Sequence, residues 1–305
     1  MNLIYQGKDI TQYVNIRSCV GRDYSGERCD SLQIQFENAS SWYRWGPEED
    51  DQIRITHNGY DTGILYLNTI LPEDGKYRIL ASALPCSARR KQNRSFSGKT
   101  IEEIMRACAA GSGMDFKIFG IDGSAIIPYI HQENESAAAF LHRLLTMEGA
   151  ALKCVNGKYT AIGILWAQQR EAGQTIQISA KQRGTDYQRS GETVKAITIR
   201  TPYAASTASD TSVPSSHNRI TRNDIPAKSN LQAGRWARGL LLDMNRKCET
   251  LRIETRFNSG FTAMSRIDVT GGTDADGKWL IREAEHDFVN MTSCVVMHRC
   301  VTTIQ

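Results

Sequence analysis

The sequence predicts a mainly β protein in which two related β-barrel modules flank a small α+β module. Three β-rich runs between residues 51 and 84 are separated by Asn58-Gly59 and by the turn at residues 72–75. Turn residues between alternating runs are typical of an antiparallel meander. The same plan returns near the end of the chain, in runs at 264–270, 278–288 and 294–301 separated by glycine turns or loops. Between these regions the pattern changes to helical spacing, which predicts the α+β insert.

Composition is that of an ordinary soluble globular protein. The chain has 305 residues, of which 40% are apolar and 23% charged, enough for two or three domains. It contains no run of eighteen apolar residues and does not begin with a basic segment and an apolar core. We therefore expect neither a membrane span nor a classical export signal. A net charge of +4, spread along the chain, does not by itself indicate nucleic-acid binding.

Cysteine usage indicates reduced thiols. Eight cysteines occur without any Cys-x-x-Cys pair, and most lie in apolar runs. Without an export signal, this pattern is typical of a cytosolic folding environment. A disulfide between Cys19 and Cys29 across a hairpin is the alternative left open.

Residues 1–85 form the first predicted β-barrel module. In Ser31–Phe36 apolar and polar residues alternate, so one face of the strand is buried and the other is wet. Trp42, Tyr43 and Trp45 make an aromatic loop before the meander. Five or six such strands are enough to curl into a small barrel, which removes exposed edges.

Residues 86–170 form the predicted connector and α+β module. The connector, residues 86–99, is locally basic and contains no acid; its basic residues are Arg89, Arg90, Lys91, Arg94 and Lys99. Two interpretations stay open, a solvated connector or a surface for an acidic partner or passing nucleic acid.

Two helices are predicted in this module. The first begins at Thr100, which can form a capping box with Glu103, and ends at Gly111. The second begins near Asn134 or Ser136 and ends at Gly149. Two further strands then meet at an Asn-Gly hairpin signal at residues 156–157.

Residues 171–305 form the second predicted β-barrel module. Strands are expected at 175–179, 194–200 and 250–257, before the closing meander. Residues 202–230 are rich in small and polar residues and are predicted to be a long surface excursion with little to pack. A helix is predicted at about 231–247.

No catalytic, cofactor-binding or metal-binding site is predicted. Residues 96–100 resemble the end of a phosphate-binding loop, but Asn93 replaces the required glycine and a helix cap explains Thr100. The Gly-x-Ser-x-Gly and His-Glu-x-x-His signatures are missing. The best zinc candidate is His298 with Cys300 and His286, for which a buried structural role is the favoured interpretation.

The order of modules and four stretches resemble the phage late control gene D proteins. These proteins are the baseplate hub family of contractile tails and are related to the hub portion of type VI secretion spikes. The stretches are the opening strand region at 7–11, the meander at 63–70, the basic segment and helix start at 89–104, and the terminal strand at 278–286.

The resemblance implies a structural role without a reaction to catalyse. It implies a homotrimer with two β-barrels per subunit that adapts a sixfold tube to a threefold spike, in a virion or tail-like particle assembled in the bacterial cytoplasm. Implied partners are the tail spike, tube or tube-initiator, baseplate wedge and tape measure proteins, with transient passage of nucleic acid. Two alternatives stay open: a tail-associated cell-wall hydrolase, and a carbohydrate- or receptor-binding β module that uses the aromatic loop.

Overall fold

The computed structural model describes residues 1–37, 46–73, 76–179 and 183–305. The predicted aromatic loop of Trp42, Tyr43 and Trp45 lies outside these ranges. No helix in the described ranges is both long enough and apolar enough to cross a membrane. All eight cysteines, Cys19 and Cys29 included, are free thiols.

The N-terminal region is built from short strands in which buried and exposed residues alternate. Its strands are β1 (Asn2–Tyr5), β2 (Lys8–Asp9), β3 (Ile16–Tyr24), β4 (Ser31–Phe36), β5 (Gln52–His57), β6 (Tyr60–Asp61), β7 (Leu65–Glu73) and β8 (Lys76–Ser82). A single 3-10 turn, Thr11–Tyr13, follows β2.

The middle region alternates strands and helices. Its elements are α1 (Cys86–Arg89), β9 (Lys91–Thr100), α2 (Ile101–Ala110), β10 (Asp115–Phe119), β11 (Ile126–Ser136), α3 (Ala137–Met147), β12 (Ala150–Val155), β13 (Lys158–Gly163) and α4 (Ile164–Gln169). The predicted capping box is confirmed, since Thr100 Oγ1 accepts the Glu103 N–H at 3.1 Å and the Glu103 carboxylate accepts the Thr100 N–H at 2.8 Å.

The C-terminal region returns to strands, with one long helix. Its elements are β14 (Gln174–Gln177), β15 (Thr185–Arg189), β16 (Val194–Arg200), β17 (Ala205–Ser209), β18 (Asn218–Arg222), α5 (Asn230–Arg246), β19 (Glu249–Arg256), β20 (Arg266–Thr270), β21 (Gly277–Asp287) and β22 (Thr292–Arg299).

The two ends of the chain contain the same arrangement of six strands. We call them the first β module (β1, β3, β4, β5, β7 and β8) and the second β module (β14, β15, β19, β20, β21 and β22). The first has the sheet order β3-β4-β8-β7-β5-β1 and the second β15-β19-β22-β21-β20-β14. In chain order, both therefore read second, third, sixth, fifth, fourth, first. They differ in one pairing, because β1 is antiparallel to β5 whereas β14 is parallel to β20.

A β-bulge lies at the same place in both modules. The register of β7 on β8 shifts between Leu67 and Thr69, and that of β21 on β22 shifts between Ile281 and Glu283. A bulge inserts one residue and changes the local twist. Its recurrence in the fifth strand extends the match from topology to register.

The prediction of a mainly β fold with two related β modules and an α+β insert is confirmed, but the expectation of closed barrels is wrong. The two modules belong to one fourteen-stranded sheet whose path, over the described residues, is open at both ends. The reason lies in β3. Closing the first barrel would need a free edge of β3, and that edge pairs with β21 of the second module.

The prediction that residues 202–230 pack little is also wrong. Strands β17 and β18 flank β16 in a three-stranded sheet against α5. The segment buries small and medium apolar side chains, namely Ala204, Ala208, Val213, Ile225 and Ala227. The composition of this segment did not indicate a core, because alanines packed under α5 take the place of the large apolar residues that usually mark one. The domain divisions at residues 85 and 170 stay a prediction.

Candidate assembly interface

The two β modules are joined by an antiparallel pairing of β3 with β21. The register runs from Glu283 opposite Tyr24 to Asp287 opposite Val20. Backbone hydrogen bonds flank it, from the Ser25 N–H to the Arg282 carbonyl at 3.0 Å and from the Phe288 N–H to the Cys19 carbonyl at 2.9 Å. We call this pairing the module junction. It turns two six-stranded units into one continuous sheet.

One face of the module junction is held by an ion pair. Arg22 Nε lies 2.7 Å from Glu285 Oε2, and the two residues are directly opposite in the register. Both side chains are about one-third exposed, at 32% and 39%. Pairs this open contribute roughly 0–1 kcal/mol, so the backbone ladder and the opposite face carry more of the stability.

The opposite face of the junction is an aromatic cluster around His286, which is fully buried. The His286 ring nitrogens contact Ser293 Oγ and the Phe261 carbonyl, both at 2.9 Å. The ring of Tyr60, from β6 of the N-terminal region, lies 4.3 Å from that of His286 between centroids. Burial lowers the pKa of His286, so the neutral ring is favoured.

Gly21 is required at the junction by close packing. A Cβ at this position would lie 2.9 Å from a ring carbon of Phe288. Any larger side chain would displace Phe288 from the aromatic cluster. The strand therefore has glycine where Phe288 approaches its backbone closely.

A buried charge cluster ties the middle region to the junction. The Lys153 ammonium, from β12, donates to the Asp23 carboxylate and lies 3.0 Å from Asp30 Oδ2. The two carboxylates are anchored in turn, because Asp23 Oδ2 accepts the Ala263 N–H at 3.2 Å and Asp30 Oδ1 accepts the Tyr24 N–H at 2.9 Å. One ammonium thus connects all three regions of the chain.

The cluster holds two carboxylates but one ammonium. Burial raises the pKa of Asp30 to about 7, with Asp23 adding to the rise and Lys153 opposing it. The pKa of Lys153 is also raised, because attraction to the two carboxylates outweighs its burial. We infer a charged lysine shared by two carboxylates, of which Asp30 takes up a proton near neutral pH.

Sequence reasoning missed this cluster. The sequence contained a signal, since Lys153 interrupts an otherwise apolar strand. In the structure its side chain is only 11% exposed. A lysine in such a strand needs a buried partner. Asp23 and Asp30 lie 130 and 123 residues away, so no local spacing could have identified them.

The three residues considered for zinc do not converge. In the β21–β22 ladder His286 lies opposite Ser293, whereas His298 lies opposite Leu280. Six residues of strand separate Leu280 from His286, a distance of roughly 20 Å at ~3.3 Å per residue. No group of three His, Cys, Asp or Glu side chains in the described part of the chain could hold a metal ion.

The basic segment 86–99 divides into structural and free cations. Arg89 donates to the Leu84 carbonyl at 2.9 Å, and Arg94 donates to the Ala107 carbonyl near the end of α2 at 3.1 Å. Lys99 pairs with Glu103 at 2.9 Å. Arg90 and Lys91 are exposed and form no ion pair with any described residue. Unlike the other three cations of this segment, Arg90 and Lys91 therefore have no side-chain hydrogen bond or ion-pair partner among the described residues.

The segment is also more regular than a connector. Residues 91–100 form β9, which pairs with β11. The phosphate-loop resemblance at 96–100 therefore falls in a strand that leads into the α2 cap. Phe96 is the buried residue of β9, and the other positions on its face are partly or fully exposed. Because these other positions hold polar residues or glycine, the sequence pattern did not identify a strand.

Residues 73–292 match the family described as phage tail baseplate hub (GPD). The chain belongs to the phage tail baseplate hub family. This match confirms the predicted resemblance and a structural role for the hub protein in a phage tail or virion. No curated protein matches its sequence.

Solved structures share the fold of the hub protein. The tail protein from Neisseria meningitidis MC58 has a TM-score of 0.75 at 11% identity, covering 98% of this chain and 95% of that one. The 43 kDa tail protein of prophage MuSo2 from Shewanella oneidensis has a TM-score of 0.72 at 14% identity, covering 98% and 97%. The E. coli c3393 protein, a component of the type VI secretion system, has a TM-score of 0.62 at 12% identity, covering 99% and 77%. At these identities the likeness concerns the fold alone.

Proposed function

We propose that the hub protein is a homotrimer at the centre of the baseplate that adapts a sixfold tail tube to a threefold spike. The observation that carries this proposal is the repeated six-strand topology. Two equivalent modules in each chain, repeated by a threefold axis, present six similar units to one neighbour and three identical subunits to another. A ring of chains with one such module each could match a sixfold tube or a threefold spike, but not both.

The proposed partners follow from this position. They are the tail spike on the threefold side, tube or tube-initiator proteins on the sixfold side, and baseplate wedge and tape measure proteins nearby. Nucleic acid would pass transiently through the centre. We propose that assembly takes place in the bacterial cytoplasm, in agreement with eight free cysteines.

We also propose that the protein catalyses no reaction. His286, His298 and the charge cluster have structural partners, and their contacts are those of a packed core. His286, for example, uses both ring nitrogens in hydrogen bonds. A general base instead needs a nitrogen that can reach a substrate.

Native mass spectrometry tests the proposal. Each chain has a mass of 34.1 kDa, so a trimer would have a mass of about 102 kDa. The purified protein, alone and mixed with its tail spike and tube proteins, should give the trimer or complexes that contain three copies. A chain that stays monomeric in both samples, or that releases soluble fragments from peptidoglycan, would contradict the proposed function.

A further inference from the structure

We propose that neighbouring copies of this chain are joined by pairing the outer edge of β7 in one copy with β15 of the next. This pairing would repeat, between subunits, the β21–β3 junction that joins the modules within one chain. The inference rests on the trimer proposed above and identifies the surface that holds it together.

Strands β7 and β21 occupy equivalent places in the two modules. Each is the fifth strand of its module, and Tyr66 opposite Ser82 corresponds to Leu280 opposite His298. Counting from these pairs through the shared bulge, residues 69–73 correspond to 283–287. The second of these segments is the part of β21 that forms the module junction.

Strands β15 and β3 also occupy equivalent places in the two modules. Each is the second strand of its module and pairs with the third. Gly21 lies opposite Leu32, and Tyr187 lies opposite Leu251. Leu32 and Leu251 are themselves equivalent, since they pair with Ala81 and Met297 at matching positions of the sixth strands. Tyr187 therefore corresponds to Gly21.

The outer edges of β7 and β15 are both open. β15 is the end of the sheet path, and no described strand pairs with the outer edge of β7 beyond Tyr66. An open strand edge attracts other strands, and proteins cover such edges or disrupt them. Leu71 on this edge is 38% exposed, so an apolar side chain lies beside the open strand edge.

The backbone groups of β15 point the right way. The Ser190 N–H donates to the Cys248 carbonyl, and the Gly184 carbonyl accepts the Glu254 N–H, both at 2.7 Å. Even-numbered residues of this strand therefore bond to β19. Because antiparallel strands alternate, the N–H and C=O groups of Thr185, Tyr187 and Arg189 face outward. In β3 the corresponding groups of Cys19 and Gly21 face β21.

The outer edge of β7 fits the same pattern except at Pro72. Pro72 corresponds to His286, whose backbone faces β3 in the junction. A proline has no N–H to donate, so within a sheet it is tolerated where that side of the strand has no partner in its own chain. Its carbonyl can still accept the N–H of Tyr187 of the partner subunit. The intersubunit ladder would therefore have one hydrogen bond fewer than the module junction.

These equivalences predict the register. Leu71 lies opposite Gln188 of the partner subunit, as Glu285 lies opposite Arg22 within the chain. Three junctions within chains and three between them would close six modules into one ring. The contact is head-to-tail, a type that forms a closed ring when the rotation per copy divides a full turn.

Disulfide trapping tests the register in the full-length protein. Leu71 and Gln188 would form a non-hydrogen-bonded pair with Cα atoms ~4.5 Å apart, within the range that a disulfide spans. The L71C/Q188C variant should form disulfide-linked dimers and trimers under mild oxidation. Because Leu71 and Gln188 are exposed, their replacement should leave the thermal unfolding midpoint of the protein near that of the parent.

Matched controls make the trapping specific. R22C/E285C, the equivalent pair inside the chain, should form an intrachain disulfide at monomer mobility. L71C/D186C moves one cysteine by two residues and should form several-fold less disulfide-linked dimer. The single variants L71C, Q188C and D186C show how much linkage arises through native cysteines. The native mass of each variant is measured before oxidation.

The outcomes separate the two proposals. Linked dimers and trimers of L71C/Q188C in clear excess over L71C/D186C support the pairing. A trimeric mass with no such excess overturns the pairing and leaves the trimer standing. A mass that stays monomeric both alone and in the mixture with the tail spike and tube proteins overturns the trimer itself, and the pairing with it.

Discussion

Asp50 and Met264 occupy equivalent places in the two β modules and share an uncommon backbone conformation. Their φ angles are +69° and +70°. The Asp50 N–H donates to the Leu67 carbonyl at 2.9 Å, and the Met264 N–H donates to the Ile281 carbonyl at 2.8 Å. Each acceptor is the residue before its bulge. Positive φ at non-glycine residues is rare, so its recurrence at this point indicates that the bulge and this turn form one repeated unit.

The turn at Met264 gives a stability prediction. A β-branched side chain is much harder to place at positive φ than an unbranched one. M264I should therefore be less stable than M264L by about 1–2 kcal/mol, although the two side chains have the same volume. Urea unfolding followed by fluorescence measures both. Equal stability would show that the left-handed turn is not a constraint.

Removing the shared lysine should damage the fold. K153M leaves Asp23 and Asp30 buried without a cation, each with a side chain 8% exposed. Breaking a buried pair on one side typically lowers the free energy of unfolding by about 3–5 kcal/mol. K158M is the control, since the Lys158–Asp115 pair is much more exposed and its loss should lower the free energy of unfolding far less. Similar losses in the two variants would mean that the buried cluster contributes no more than a surface pair.

Asp30 should make stability depend on pH. Its pKa in the folded protein is raised from 3.8 to about 7, first by burial. The folded state then holds a proton that the unfolded state has lost. This contribution to stability is complete below pH 3.8 and is lost as pH rises through about 7, with a slope of at most ~1.4 kcal/mol per pH unit.

Unfolding at pH 5 and pH 8 measures this effect. The parent should lose stability relative to D30N between these values. The parent should lose no stability relative to D115N between these values, because Lys158 lowers the pKa of the exposed Asp115, whose contribution is lost only at more acidic pH. A parent and D30N that respond equally to pH would contradict the assignment of the proton to Asp30.

Arg90 and Lys91 should matter for assembly and not for folding. Both are exposed, so R90E/K91E should unfold within about 0.5 kcal/mol of the parent. If they contact an acidic partner, the variant should give fewer complete particles by electron microscopy. R94E is the opposite control, because it breaks the contact with the α2 carbonyl and should destabilise the subunit. A normal particle yield with R90E/K91E would contradict a partner contact at Arg90 and Lys91.

Much of the fold was predictable because its signals are local. The capping box at Thr100 and the paired meanders are determined by residues a few positions apart, and both are present. β9 was not predicted, since its charged residues hide the alternation around Phe96. Barrel closure failed for a different reason. The pairing of Gly21 with His286 spans most of the chain, and no periodicity reports which distant strand will occupy an edge.

The site was less predictable than the fold. Lys153, Asp23 and Asp30 come together only through tertiary structure. His286 was identified as noteworthy, but as a weak zinc candidate, whereas its contacts with Ser293 and Phe261 make it part of the junction. A buried histidine and a ligand look alike in sequence, and their hydrogen-bond partners decide between them.

The proposed symmetry can be seen in a map of the assembled baseplate by electron cryomicroscopy, reconstructed without imposed symmetry. We expect three copies of the chain around the channel, with first and second β modules alternating at six evenly spaced positions. One copy, six copies, or two modules at different distances from the axis would contradict the proposed symmetry.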